Sequence, residues 1–312
     1  MSPLPILVAD IGGTNSRLAL AREAEVLPDT VVRLENAGFA GPEALIGDYL
    51  ARLGGPQLGG VCAAVAGAVT EGAAFMTNLD WKISEAGLSK ACGGVPALLL
   101  NDLQAQGHAL DALPAGGLRE VVAGEAGLGP RMVIGVGTGF NAAVVHDGPG
   151  VRLVTASEAG HATLPALDGQ VAKLAADLVA RGLPPEIEET LSGRGLAQID
   201  RFLGHGGRTA RAVIDCAPDD PGAAAALALF VRLLGGVAGD LALVHLPWGG
   251  VYLAGGMARA VAHRLGPDEF AAAFCAKGRL SHLLKRIPVW LIEDDFAALT
   301  GCAAHMQRDG AG

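Results

Sequence analysis

The chain has 312 residues, of which 51% are hydrophobic, and this length predicts two domains with substantial cores. The formal net charge of −9 and the absence of any Lys/Arg run exclude a typical nucleic-acid-binding protein. Five scattered cysteines show neither a disulfide framework nor a Cys-x-x-Cys metal spacing, so we expect a cytoplasmic location. The first apolar stretch, Leu4 to Ala9, is too short for a signal peptide, and no targeting segment is predicted.

The first predicted element is a hairpin in which Asp10-Ile-Gly-Gly-Thr-Asn15 joins two apolar strands within Ile6–Leu20. A dinucleotide-binding fold or a P-loop places its glycines between a strand and a helix, so neither is predicted here. A glycine hairpin of this kind brings backbone N–H groups close to phosphate oxygens. An ordinary hairpin with turn-forming residues is the alternative interpretation.

The candidate nucleotide ligands of this hairpin are backbone groups and short polar side chains: Gly12, Gly13, Thr14 and Asn15. Asp10 stands at the end of the strand and is a candidate ligand for Mg²⁺ through a water molecule. Mg²⁺ favours one or two carboxylates and keeps several of its waters, which suits a single aspartate.

Alternating strands and helices follow, with strands predicted at Gly60–Gly67 and Val95–Leu100 and a helix beginning near Leu103. Asn101 and Asp102 come directly after the second strand, at the edge of the sheet where open α/β proteins bind ligands. A carboxylate there can accept the proton of a hydroxyl that attacks phosphorus. A helix N-cap is the other interpretation of this Asn-Asp pair.

A second glycine hairpin lies within Met132–Val145 and repeats the pattern of the first, with Gly137, Thr138 and Gly139 at its turn. Two α/β halves that each open with such a hairpin indicate a duplicated protein of two lobes with a cleft between them. We expect the second hairpin to face the phosphates of a nucleotide bound in that cleft. The boundary between the lobes is predicted near residue 110.

Acidic and imidazole side chains recur in the second half. Glu158 and His161 flank a glycine turn, and Glu188 follows further along the chain. Such groups bind vicinal sugar hydroxyls, and a solvated loop is the alternative explanation.

Two segments near the C-terminus complete the predicted elements. The apolar stretch Gly222–Leu246 is interrupted by Arg232 and Asp240, which predicts a buried pair of helices rather than a membrane span. A strand ending at Ala254 runs into Gly255 and Gly256, where bare backbone can lie against an adenine or ribose. A tight strand-to-helix turn is the alternative for these two glycines.

Taken in order, these motifs resemble the bacterial glucokinases of the hexokinase/actin-like ATPase superfamily, and the match runs nearly end to end. The landmarks are Asp10–Asn15, Met76-Thr-Asn78 with Trp81, Asn101-Asp102, Gly137–Gly139, Glu158–His161, Leu191–Gly193, Ala254–Gly256, Lys277–Arg279 and Ile287–Val289. The related zinc-containing repressor/kinase family has a Cys-x-Cys-Gly-x-x-Gly-Cys motif that is absent from this sequence.

The resemblance implies an α/β, two-lobed, actin-like (ribonuclease H-like) ATPase fold with an interdomain cleft. It implies a small domain of residues 1–110 plus about 296–312, a large domain of residues 111–295, and a homodimer. ATP and Mg²⁺ are the implied cofactors, glucose or a related hexose is the substrate, and neither nucleic acid nor a membrane is a partner. The implied catalytic base is Asp102, and the implied sugar ligands are Asn101, Asp102, Glu158, His161 and Glu188.

Several positions depart from the family pattern. They are Gly67-Ala68 and Arg194, where proline is usual, and Ala9, Asn141 and Ala159, where glycine is common. None removes a charged or hydrogen-bonding group, so the expected reaction is phosphorylation of glucose at its 6-hydroxyl. A kinase for another hexose or an amino sugar in the same fold remains an alternative, and a non-catalytic sugar- or nucleotide-binding regulator is a further one.

Overall fold

A computed structural model describes residues 3–76 and 79–309 of the chain. The landmark residues Thr77 and Asn78 therefore lie outside the described residues. The chain divides into two units. Unit 1 holds the described residues of Met1–Ala115, Pro149–Ala156 and Asp294–Gly312, and unit 2 holds Gly116–Gly148 and Ser157–Glu293.

The strands β1 to β15 are, in chain order, Ile6–Ile11, Asn15–Arg22, Glu25–Val26, Val32–Glu35, Gly60–Val65, Val69–Thr70, Ala73–Met76, Trp81–Ser84, Ala97–Asn101, Leu118–Val122, Arg131–Val136, Phe140–Gly148, Val151–Thr155, Val251–Ala254 and Val289–Ile292.

The helices α1 to α11 are Pro42–Arg52, Glu85–Ala91, Asp102–Ala109, Gly169–Ala180, Gly193–Phe202, Ala210–Cys216, Pro221–His245, Gly256–Ala260, Ala272–Cys275, Ser281–Leu284 and Ala297–Asp309. Short 3-10 turns occur at Pro28–Thr30, Asn36–Gly38, Ala159–His161, Ala262–Arg264 and Gly278–Leu280, and one π-helical turn occurs at Pro267–Ala271.

The main sheet of unit 1 has the order β3-β2-β1-β5-β9, with β4 paired to β2. The pair β1/β2 is antiparallel, whereas β1/β5 and β5/β9 are parallel. Both faces of β1 are covered, because Leu7 belongs to the core cluster containing Tyr49 of α1 and Val8 to the cluster containing Leu299 of α11. Burial on both faces explains the continuous apolar run of this strand.

The sheet of unit 2 includes the order β10-β15-β14-β11-β12. Here β11/β12 is antiparallel, and β11/β14 and β14/β15 are parallel. An antiparallel hairpin followed by parallel strands therefore occurs in both units, which confirms the duplication predicted from the two glycine hairpins. The hairpin turns precede β2 and β12, as the sequence predicts.

Helix α7 corrects one expectation, because Pro221–His245 is a single helix of 25 residues and not a pair. Its two charges do not interrupt it, since Arg232 bonds to Asp168 and the Asp240 carboxylate accepts a 2.6 Å hydrogen bond from Lys277. The helix is long and apolar enough to cross a membrane, with a mean hydropathy of 1.9, yet 67% of its apolar 18-residue window is buried inside the protein. Core helices of soluble proteins share these properties.

Candidate functional site

The turn of the first hairpin is held by a residue that the sequence analysis did not single out. The Gly12 N–H donates to the Asn15 carbonyl at 3.1 Å, which closes the turn. Asn36, a buried residue, donates from its side chain to the Gly12 carbonyl at 2.7 Å and from its backbone to the Thr14 carbonyl at 2.9 Å. Thr14 itself is exposed, so its hydroxyl is accessible at the tip of the turn.

Asp10 lies opposite Arg17 across the β1–β2 hairpin, and the two side chains form an ion pair of 3.2 Å. Burial raises the pKa of the Asp10 carboxyl, and the charge of Arg17 and its hydrogen bond oppose that rise. A half-buried carboxyl with a raised pKa is stabilised in its ionised form by a further cation. Among the described residues no three His, Cys, Asp or Glu side chains cluster as a metal site.

Asn101 and Asp102 join the end of β9 to the start of α3, and Asn101 is the N-cap of that helix. Its side-chain oxygen accepts from the Leu103 N–H at 3.0 Å, and its amide donates to the Gly67 carbonyl at 2.9 Å. Gln104 completes a capping box by accepting from the Asn101 N–H at 3.1 Å. The cap interpretation is therefore correct for Asn101, whose amide retains a second N–H donor.

Asp102 occupies the first helical position, where the macrodipole of α3 favours a negative charge. Its Oδ1 accepts from the Leu103 N–H at 2.9 Å, and the residue is half-buried. Both groups of the Asn-Asp pair are thus fixed in position by local hydrogen bonds to the first turn of α3.

Three of the five predicted sugar ligands, Glu158, His161 and Glu188, belong to unit 2 and lie at or near one short turn. His161 Nδ1 lies 2.9 Å from Oε2 of Glu186, a partner that the sequence analysis missed. This hydrogen bond raises the pKa of His161 above its ordinary value, and the charges of Glu188 and Glu158 act in the same direction. Glu158, His161 and Glu188 therefore lie close enough together to interact electrostatically.

Asn141, one of the departures from the family pattern, holds this turn. Its side-chain oxygen accepts from the Ala159 N–H at 2.9 Å, and its amide donates to Glu158 Oε2 at 3.2 Å. Gly160 is required at the centre of the turn, because a Cβ there would lie 2.1 Å from the Phe140 carbonyl oxygen. The two hydrogen bonds of Asn141 therefore fix the backbone of Ala159 and the carboxylate of Glu158.

Glu188 links the sugar-ligand turn to the second glycine hairpin. Its backbone N–H donates to the Gly160 carbonyl at 2.9 Å, and its Oε2 accepts from the Phe140 N–H at 3.0 Å. A Cβ on Gly139 would lie 2.5 Å from the same carboxylate oxygen, so a larger residue there would displace the Glu188 side chain. Gly139 therefore has a structural role beside the carboxylate.

A cavity of about 480 Å³ opens beside the second hairpin and contains three of the predicted nucleotide residues. Its lining residues are Gly137, Thr138, Gly193, Arg194, Gly256 and Met257. Gly137 is tied to its surroundings by backbone hydrogen bonds of 2.9 Å to Gly139 and Gly193. The sequence analysis assigned no binding role to Gly193, Arg194 or Met257, although Gly193 ends one of its landmark motifs.

Gly255 does not line this cavity, but it directly precedes Gly256, which does. It adopts a φ of 95°, and a Cβ there would lie 2.5 Å from the Val136 carbonyl oxygen. The strand-to-helix turn interpretation is thus correct for Gly255, while its neighbour Gly256 faces the cavity. Two other cavities, of about 510 and 690 Å³, contain none of the predicted site residues.

The Glucokinase family model matches residues 7–309. A glucokinase from Caulobacter sp. (strain K31) is 36% identical over 97% of this chain and 95% of its own. The crystal structure of a glucokinase from an Antarctic psychrotroph is 30% identical with a TM-score of 0.86, covering 97% and 98% of the two chains. A ROK family glucokinase from Streptomyces griseus, in complex with glucose and AMPPNP, shares the fold with a TM-score of 0.63 at 20% identity over 96% and 98%.

The duplicated hairpin-and-parallel-strand fold and these neighbours define a phosphotransferase of the actin-like ATPase fold, a sugar kinase. The length of the family match and the identity to curated relatives make the assignment specific. This chain belongs to the glucokinase family.

Proposed function

We propose that this protein transfers the γ-phosphoryl group of ATP to the 6-hydroxyl of glucose, giving glucose 6-phosphate and ADP. The observation that carries the proposal beyond family membership is the position of Glu188. Its backbone bonds to the turn between Glu158 and His161, and its carboxylate bonds to the end of the Gly137–Gly139 hairpin. Candidate sugar ligands and candidate nucleotide ligands are thereby joined within one unit.

In this proposal the 480 Å³ cavity receives the nucleotide. Gly137 and Gly256 offer backbone without side chains, and the exposed Thr138 offers a hydroxyl. Gly12, Gly13, Thr14 and Asn15 of the first hairpin are the candidate phosphate ligands of unit 1, because glycine-rich turns bind phosphate in other proteins. The bound nucleotide of the Streptomyces griseus protein, which shares the fold, supports ATP as the donor.

Mg²⁺ fits the first hairpin, and Asp10 is the residue that we expect to hold it through water. The carboxyl is half-buried and its pKa is raised despite Arg17, so a divalent cation would favour its ionised form. A Mg²⁺ ion that contacts substrate phosphates usually binds one or two protein carboxylates and keeps several of its waters. When bound, the ion neutralises charge on the transferred phosphoryl group.

Asp102 is proposed as the general base, accepting the proton of the 6-hydroxyl as its oxygen forms a bond to the γ-phosphorus. The phosphorus–oxygen bond to ADP breaks on the opposite side, in line with the attack. Base catalysis of this kind contributes about 10²–10⁴-fold, and positioning of the two substrates supplies much of the remainder. The first turn of α3 holds the carboxylate in place for that task.

The other sugar hydroxyls are assigned to Asn101, Glu158, His161 and Glu188. A carboxylate accepts from a hydroxyl and an amide donates to one, so this set distinguishes epimers by the direction of each hydrogen bond. His161 is exposed and its pKa is raised, which gives it a positive charge more readily than an ordinary histidine. We further infer a cytoplasmic homodimer, as the family resemblance implies, and gel filtration with light scattering tests the dimer.

The deciding experiment is ADP release with Mg-ATP across glucose, mannose, fructose, galactose, glucosamine and N-acetylglucosamine. Turnover dominated by glucose is the expected result. Preference for another sugar would leave the proposed mechanism standing but change the substrate. That result would favour the alternative of a kinase for another hexose or an amino sugar in the same fold. No ADP release on any sugar would contradict the proposal and leave a non-catalytic regulator.

A further inference from the structure

Arg194 occupies a position that the expected chemistry does not use. It is the second residue of α5, the helix whose first residue, Gly193, donates its N–H to the Gly137 carbonyl at 2.9 Å. It is also the one charged side chain among the six residues that line the 480 Å³ cavity. A cavity otherwise made of glycine backbone, a threonine and a methionine therefore has a single cationic group at its wall.

Two carboxylates hold the guanidinium in place. Nη2 of Arg194 lies 2.8 Å from Glu188 Oε1, and Nε donates to Glu189 Oε1 at 3.1 Å. Glu189 is buried with 8% of its surface exposed, and Glu188 is itself fixed by the Phe140 N–H. The arginine is therefore anchored on rigid partners, and its side chain keeps 53% exposure.

The anchoring leaves part of the guanidinium available. Arginine carries five N–H donors, and in the described part of the chain Arg194 bonds through Nε and Nη2. Its Nη1 group has no hydrogen bond among those contacts. Charge-assisted hydrogen bonds from arginine to phosphate are stronger than neutral ones, and they gain from a guanidinium that is already oriented.

Arg194 also changes the charge that a nucleotide would meet. Without it, the carboxylates of Glu188 and Glu189 would stand uncompensated close to the cavity, in a chain of net charge −9. Like charges at such short range repel, and the repulsion grows with the number of phosphates on the ligand. The arginine thus removes an obstacle to phosphate binding as well as offering a donor.

We propose that Arg194 is a phosphate-binding residue of this protein, anchored by Glu188 and Glu189 and directed at the polyphosphate of the nucleotide in the 480 Å³ cavity. The inference rests on the proposed placement of ATP in that cavity.

The test measures the affinity of several adenine ligands by calorimetry, in the absence of sugar, for the wild-type protein and for Arg194→Gln. AMPPNP, ADP, AMP and adenosine differ mainly in their phosphates. We expect Arg194→Gln to weaken AMPPNP about tenfold, which corresponds to about 1.4 kcal/mol, and to leave adenosine unchanged. Arg194→Lys keeps the charge beside Glu189 and should recover most of the lost affinity.

The matched control is Arg201→Gln, which removes the same charge from the exposed far end of α5. It should leave the affinity of all four ligands unchanged. Equal weakening of AMPPNP and adenosine by Arg194→Gln would show a general disturbance of the cavity and overturn the proposal. Unchanged affinity for AMPPNP would overturn it as well.

The outcome is independent of the sugar assay. A wild-type protein that binds AMPPNP but releases no ADP on any sugar would contradict the proposed function and still allow the phosphate dependence of Arg194 to be measured. A protein that phosphorylates glucose but shows no phosphate-dependent loss on Arg194→Gln would retain the function and lose this inference.

Discussion

Gly301 of α11 offers a direct test of how the structure positions Asp102. An alanine Cβ at residue 301 would lie 1.7 Å from the Ala105 carbonyl oxygen and 2.5 Å from its carbonyl carbon, about half of an ordinary contact distance. Ala105 lies one turn after Asp102 in α3. Because the obstacle is helix backbone rather than a flexible side chain, relief requires α11 and α3 to move apart.

The magnitude follows from two opposing effects of Gly301→Ala. Overpacking of a well-packed core costs about 1–3 kcal/mol, and a clash with backbone belongs at the upper end. Replacing a helical glycine with alanine returns about 1 kcal/mol of helix propensity. We therefore expect the free energy of unfolding to fall by about 2 kcal/mol. We expect turnover to fall as well, because α3 carries Asp102. A displacement of about 1 Å in a catalytic group costs roughly 10²-fold in rate.

Gly47→Ala is the matched control, because Gly47 is an exposed glycine of α1 with no atom within 4 Å of the added Cβ. It should raise stability by about 0.5–1 kcal/mol and leave turnover unchanged. Urea denaturation followed by circular dichroism, with ADP release at saturating substrates, measures both effects. A Gly301→Ala protein as stable as the wild type would refute the close crossing of α11 and α3.

Three further predictions concern the site and its support. Asp102→Asn should lower the turnover number by about 10²–10⁴-fold while glucose affinity, measured by calorimetry, changes little. Glu186→Gln should lower the NMR titration midpoint of His161, because the hydrogen bond to Glu186 is the main cause of the raised pKa. Asp200→Asn should destabilise the protein by about 2–3 kcal/mol in urea denaturation, because the fully buried Asp200 is bonded by Nη2, Nε and the backbone N–H of Arg208.

Each of these has a contradicting outcome. Near-normal turnover by Asp102→Asn would remove its assignment as the base. The raised pKa of His161 stabilises the folded state below the ordinary pKa of about 6.5, and that stabilisation is lost as pH rises through the folded value. If the NMR titration midpoint of His161 is unchanged in Glu186→Gln, a group other than Glu186 raises the pKa of His161. For Asp200, the control is Asp215→Asn, an exposed partner of Arg211 whose loss should leave stability nearly unchanged.

The duplicated architecture was predictable because each hairpin is formed by consecutive residues of the chain. An apolar strand, a glycine turn and a second apolar strand stand together in the chain, and their periodicity needs no tertiary information. Strand ends differed by one or two residues, as with Val95–Leu100 against the observed Ala97–Asn101. The helix α7 was harder, since charges that bond at the edge of a buried helix resemble breaks in an apolar run.

The fold class, the family and the types of side chain available for the chemistry could all be inferred from the amino-acid order. The hydrogen-bond and ion-pair partners of those side chains depend on the folded arrangement of distant segments. Glu188 approaches Phe140 and Gly160 across 48 and 28 positions of the chain, and Asn36 reaches the first hairpin across 24. Arg194 becomes part of a cavity because α5 begins against Gly137. Such contacts depend on how distant segments pack against each other. Hydrophobic periodicity and local turn chemistry do not identify which individual residues meet in that packing.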